Sequence, residues 1–249
     1  MSRFKINIEY DGTNLVGWQK QKNGLSVQEI LENSLLKLTN EKNIIQGAGR
    51  TDAGVHALNQ IAHFDLKKKM KTDAIRDGLN FHIKNIYKKV KISVLKCQKV
   101  NINFNARFNA KERTYVYRIL DRRPPPSIQN KRVWHIKKKI DNIEMQKAAK
   151  LLVGKHDFSS FRSIECQAKS PIKTINSIKI IRKFSEIEIR IKARSFLHNQ
   201  VRIITGTLVE VGKKKKNKND ILNILNEKKR GSAGQTAPPW GLFLHSIKY

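Results

Sequence analysis

Phe4, Ile6, Ile8 and Tyr10 alternate with Lys5, Asn7 and Glu9. That two-residue period puts the apolar side chains on one face of a strand and the polar ones on the other. Ile187, Ile189 and Ile191 repeat it against Glu188, Arg190 and Lys192. A chain with such strands must build sheets with one face covered and one wet. The cover is also legible. Ser26-Val27-Gln28-Glu29 has the form of a capping box, and Val27, Ile30, Leu31, Leu35 and Leu38 then follow a helical stripe. Asp141 and Glu144 suggest a second capped helix through Leu152, closed by Gly154. Helices are also predicted over Thr72–Asn80 and Phe196–Val211.

Further strands are predicted near Ile44–Gln46, Ile61–Asp65, Val90–Leu95, Thr114–Leu120, Ile175–Ile181 and Leu242–Lys248. Strands and helices mix without the strict alternation of a doubly wound sheet, which points to an α+β fold of antiparallel sheets covered by helices. The chain has 249 residues, enough for one large domain or two ordinary ones. A boundary is expected near Phe104–Phe108.

Charge bears on partners. There are 51 basic against 20 acidic residues, a net charge of +31. Such a field attracts polyanions, usually nucleic acid. Lys, Ile and Asn all have A/T-rich codons, so genome composition alone inflates lysine, and the arginines inside mixed segments tell more. No apolar run approaches a membrane span, and the N-terminus lacks the apolar core of a signal peptide. Cys97 and Cys166 stand far apart, as reduced thiols in a reducing compartment do. The expected location is the cytoplasm, with no membrane partner.

The most informative stretch is Gly49-Arg50-Thr51-Asp52-Ala53-Gly54-Val55-His56. Glycines let a backbone bend sharply and approach a ligand closely. A carboxylate held there can serve as nucleophile or general base. The plainer alternative is an Asx-turn, with Arg50 as the salt-bridge partner of Asp52. His56 and His63 invite a metal reading, but their spacing fits no zinc pattern, so a structural His56 is expected. On the strand around Arg113-Thr114-Tyr115-Val116-Tyr117, the side chains of Arg113, Tyr115 and Tyr117 face one way. Aromatics beside arginines can stack on a nucleobase, and core packing explains them too. His198 and Arg202 lie four apart and would share a helix face. The runs Lys67–Lys69, Lys137–Lys139 and Lys213–Lys216 read as solvated lysine that draws phosphate diffusely. Pro238-Pro239-Trp240-Gly241 reads as a rigid turn, and spacing assigns no role to Trp18 or Trp240.

Taken together, these segments resemble the tRNA pseudouridine synthase A family along nearly the whole chain. The resemblance is carried by Tyr10-Asp11-Gly12-Thr13, Gly17-Trp18-Gln19, Ser26–Glu29 and Gly49–Ala57. It continues in Asn105–Phe108, Arg113–Tyr117, Asp157–Phe161, Ser170–Ile175, His198–Arg202 and Ala237–Leu242. It implies two similar domains, residues 1–105 and 106–249, with a basic cleft between them. It implies Asp52 as the catalytic aspartate, Tyr115 packed on the target base, and Arg50 and Arg202 as substrate-binding residues. It further implies uridines 38, 39 and 40 of the transfer RNA anticodon stem-loop as targets, a homodimer, and neither cofactor nor metal. One segment departs from the family's usual Leu-Pro and Asp-Ile: here it reads Ile83-Lys84 and Asn85-Ile86. The rivals are a non-catalytic RNA-binding protein and a metal-dependent nuclease; the first leaves the carboxylate in a glycine-rich loop unexplained, and the second wants clustered acids.

Overall fold

The computed structural model describes every residue, Met1–Tyr249. In chain order the elements are β1 (Ser2–Tyr10), α1 (Val27–Thr39), β2 (Gln46–Gly47), β3 (His56–Leu66), α2 (Thr72–Ile86) and β4 (Ile92–Val100). There follow β5 (Glu112–Leu120), β6 (Trp134–His135), α3 (Asn142–Lys150), β7 (Gly154–Asp157), β8 (Ile172–Lys183) and β9 (Glu186–Ala193). The chain ends with α4 (Gln200–Gly212), α5 (Lys218–Glu227) and β10 (Leu242–Lys248). The fold is α+β. It divides into a first unit, Met1–Lys111 with Leu244–Tyr249, and a second, Glu112–Phe243.

In the first unit β1 pairs antiparallel with β3 and β4, β2 pairs with β3, and β10 is the neighbour of β3. The alternation at the N-terminus sets the register: Phe4, Ile6, Ile8 and Tyr10 are buried. α1 packs on α2, and α2 on β4. In the second unit β9 pairs antiparallel with β5 and β8, β8 with β7, and β6 parallel with β5. α3 packs on α4 and β8.

Each unit uses a helix amide to occupy strand backbone groups. The Asn80 side chain on α2 donates to Val94 O at 2.9 Å and accepts from Val94 N at 2.7 Å. Gln146 on α3 donates to Ile178 O at 3.2 Å and accepts from Ile180 N at 2.7 Å. Unpaired strand edges recruit other strands, and these amides fill the positions a foreign strand would take.

Several boundaries differ from the periodic reading. α2 runs beyond Asn80 because its stripe continues through buried Ile83, and Lys84, unlike proline, keeps the helical hydrogen bond. α4 starts at Gln200, not Phe196. Asn199 takes a left-handed conformation (φ 61°), and Leu197 N–H is tied to Gln200 Oε1 at 2.8 Å, so Phe196–Asn199 form a loop. Each expected capping box at Ser26 and Asp141 forms only by its first half. Ser26 Oγ accepts from Glu29 N and Asp141 from Ile143 N and Glu144 N, while the Glu29 and Glu144 carboxylates face Lys20 and Lys147. Gly154 (φ 111°) opens β7 instead of closing α3.

His63 on β3 supplies a pH-sensitive element. Its ring is buried, accepts from Ala106 N at 3.2 Å through Nδ1, and meets Phe104 edge-on. Burial first, then the Arg3 charge, push its pKa below the ordinary 6.5. The unfolded chain therefore binds this proton more readily. The contribution is complete above about pH 6.5 and is lost as pH falls towards the folded-state value. Below that reference the loss approaches about 1.4 kcal/mol per pH unit for one proton. Thermal melts at pH 7.5 and 5.5 should show a fall in Tm that His63→Gln, which keeps an acceptor for Ala106, reduces. An identical fall in that variant would remove His63 as the cause.

Candidate active site

Asp52 sits in the loop between β2 and β3, half-buried. The first unit builds that loop from residues distant in sequence. Tyr10 is buried at the end of β1, and its hydroxyl lies 2.7 Å from Thr51 Oγ1. Trp18 N–H donates to Thr51 O at 3.1 Å, and Gly54 N–H to Leu15 O at 3.2 Å. From β3, Gln60 Nε2 donates to Gly49 O at 2.8 Å. Asp52 O itself accepts from Val55 N at 3.2 Å, which turns the chain back towards β3.

Close backbone approach explains the glycines around it. A Cβ on Gly12 would lie 2.1 Å from Val55 O. Gly17 has φ +100°, and a Cβ there would lie 2.3 Å from Thr51 O and 2.9 Å from Asp52 C. A Cβ on Gly47 would strike the Trp18 ring at 2.5 Å. Trp18, which spacing left without a role, is buried and forms the floor under Gly47. Its signal in the sequence is its place directly after Gly17, a glycine that needs positive φ; nothing local ties that pair to the Asp52 loop.

Arg50 is exposed and forms no ion pair, so the salt bridge to Asp52 of the plainer alternative is absent. Its guanidinium is presented to solvent two residues from the carboxylate. Neither histidine joins a cluster of potential metal ligands. His56 Nδ1 accepts from Gly12 N at 3.0 Å, with an Asp11 carboxylate oxygen 3.1 Å away, so this ring braces the turn after β1.

In the second unit Tyr115 lies on β5 opposite Ile191. It is buried, and its ring meets Phe196 edge-on at 5.3 Å between centroids. Phe196 reaches it from the loop that replaces the expected first turn of α4. Arg113 donates to Arg194 O and so fixes the start of that loop. Tyr117, on the same strand face, is a core residue: fully buried, it donates to Pro238 O at 2.8 Å. Burial pushes its phenol well above the ordinary range, so it stays a neutral donor. Arg202 Nε donates to Ala237 O at 2.8 Å and Nη1 to Asn199 Oδ1 at 2.7 Å. Arg202 therefore anchors the Ala237–Trp240 segment to the start of α4. His198 precedes the helix and does not share its face.

The sequence pattern of the tRNA pseudouridine synthases matches residues 6–109 and 148–249. The chain belongs to that family. A tRNA pseudouridine synthase A of Wolbachia pipientis wMel is 50% identical over 248 residues, 99% of this chain and 100% of the relative. The protein of that name from Ehrlichia chaffeensis is 48% identical over the same shares. One from Brucella anthropi is 44% identical, covering 100% of this chain and 98% of its own. The Asp52 loop of this tRNA pseudouridine synthase lies inside the matched pattern. Tyr115 falls between the two matched stretches and is covered only by the full-length relatives. The family's reaction is an isomerisation.

Proposed function

We propose that this enzyme isomerises uridine to pseudouridine at positions 38, 39 and 40 of the transfer RNA anticodon stem-loop, with Asp52 as its catalytic carboxylate. The observation that carries this reading is the Asp52 loop, clamped by Tyr10, Gly12, Gly17 and Trp18 inside the stretch that matches the family. The reaction breaks the N1–C1′ bond of uridine, turns the base and joins C5 to C1′. C5 gives up its proton and N1 gains one, so the product is an isomer and the balance calls for no oxidant. Asp52 either attacks C1′ or removes a ribose proton to start elimination to a glycal. Either route needs it ionised.

A base stacked in a stem must be flipped out first, at a cost of a few kcal/mol. We assign Tyr115 to stacking on that base and Arg50 to holding it outside the stem. Arg202 is a second proposed substrate contact, and its bonds to Ala237 and Asn199 fix where its guanidinium stands. The enzyme is proposed to work as a homodimer in the cytoplasm. The free thiols Cys97 and Cys166 suit that compartment, and no helix is long and apolar enough to cross a membrane.

Base–aromatic stacking is worth about 1–3 kcal/mol. Tyr115→Phe is therefore expected to bind transfer RNA nearly as the wild type does, and Tyr115→Leu to lose that amount. A phenylalanine variant as weak as the leucine one would move the role to the hydroxyl. The reading as a whole is tested by incubating unmodified transfer RNAs with the enzyme and mapping pseudouridine by mass spectrometry of nuclease fragments. Product confined to positions 38–40 is the expected result, and product elsewhere would overturn the assignment of the stem-loop.

A further inference from the structure

Two lysine runs about seventy-five residues apart in sequence meet on the second unit. Lys137–Lys139 follow β6 after the buried Ile136 and are exposed. Lys213–Lys215, also exposed, follow the last turn of α4. What joins them is a pair of contacts. Asp141 N–H donates to Gly212 O at 2.9 Å, tying the start of α3 to the end of α4. The Lys213 ammonium lies 5.9 Å from the centre of the Trp134 ring on β6. A side chain at position 212 would collide with Met145 at 2.7 Å, so the glycine permits the approach.

The acids nearby are outnumbered by the seven lysines of the two runs, 137–139 and 213–216. Glu210 stands 3.7 Å from Lys216, the last lysine of its run. Asp141 accepts the first N–H groups of α3, and Asp220 closes the capping box of α5. Lysines in the final turn favour a helix C-terminus electrostatically. That covers Lys213 and does not extend to Lys137–Lys139, which lie on no helix. A/T-rich codons make lysines frequent without bringing two runs to one place.

We infer that this surface is a docking site for the phosphate backbone of the transfer RNA body, beyond the modified stem. The inference rests on transfer RNA being the substrate. Lysine is a compact charge on a flexible stem and contacts phosphate without reading bases. Trp134 is half-covered and edge-on to Tyr117 at 6.2 Å, so it serves the patch as a support for Lys213 and not as a stacking platform. Trp134 pairs with Ile119, four residues along β5 from Tyr115, about 13 Å at strand rise. A substrate whose base packs on Tyr115 must therefore extend along the strand to reach the patch.

The test neutralises Lys138, Lys139, Lys214 and Lys215 as glutamine and measures steady-state kinetics on full-length transfer RNA and on an isolated anticodon stem-loop. On full-length RNA the KM should rise about tenfold or more at physiological salt, with kcat unchanged. The slope of log affinity against log salt should flatten by roughly one for each phosphate that no longer meets a lysine. The stem-loop should show neither change, and arginine at the same four positions should restore the wild-type values. Unchanged KM and salt slope on full-length RNA would overturn the inference, and so would an equal loss on both RNAs, which would place the patch on the stem. Failure of the wild type to isomerise either RNA would instead overturn the functional reading, with the salt slope of binding still deciding the patch.

Discussion

Asp52→Ala should abolish pseudouridine formation while leaving the enzyme folded and able to bind transfer RNA. A carboxylate that takes part in bond making at C1′, or in proton removal beside it, has no substitute in the loop. Removing such a group costs on the order of 10⁴-fold in kcat or more. Affinity should stay equal or rise, because one negative charge near the RNA phosphates is removed. Asp52→Asn should behave alike, since the amide keeps the shape and loses both charge and nucleophilicity. Binding by fluorescence titration and turnover under single-turnover conditions separate the two effects. Weakened binding with residual turnover would make Asp52 a positioning residue. Deuterium at C2′ distinguishes the two chemical routes, since only the elimination breaks that C–H bond.

The second large effect is expected at Gly17. Alanine there must hold φ near +100° and place its Cβ 2.3 Å from Thr51 O. The left-handed backbone alone costs roughly 1–2 kcal/mol, and relief of the clash must push the Thr51–Asp52 backbone away. A displacement of about 1 Å of a reacting group can cost 10²-fold in rate. Gly17→Ala is therefore expected to lower Tm modestly and kcat by about that factor, with KM little changed. Gly231, where an added Cβ meets nothing within 4 Å, supplies the control: Gly231→Ala should alter neither quantity. Equal kcat for Gly17→Ala and wild type would show that the clamp does not position Asp52.

The residues made some of this legible in advance. β1 and β9 followed from strict alternation, and α1 from its stripe, because half-buried elements write their burial into a local period. α5 was hidden behind the lysine run, although Asn217 and Asp220 spell its capping box. The start of α4 misled because Phe196 and His198 fit a helical period, while the left-handed Asn199 is set by packing that no local pattern records. β6 is two residues long and exists only through its pairing with β5. The return of β10 to the first unit, likewise, depends on contacts far apart in the chain.

The site divides the same way. Asp52 stood out as an acid among small residues, a local signal. Its clamp did not, because Tyr10, Gly12, Gly17 and Trp18 act on the loop across some forty residues of sequence. Arg50 stood out as well, and the ion pair with Asp52 that the plainer alternative called for does not form.

The most direct measurement of the central claim is tritium release. Transfer RNA carrying tritium at C5 of uridine is incubated with the enzyme, without added metal or cofactor, and radioactivity in water is counted. Joining C5 to C1′ expels that hydrogen. Release by the wild type, absent with Asp52→Ala, is the expected result. No release from a folded wild type that binds several transfer RNAs would contradict it and leave an RNA-binding protein in place of the enzyme.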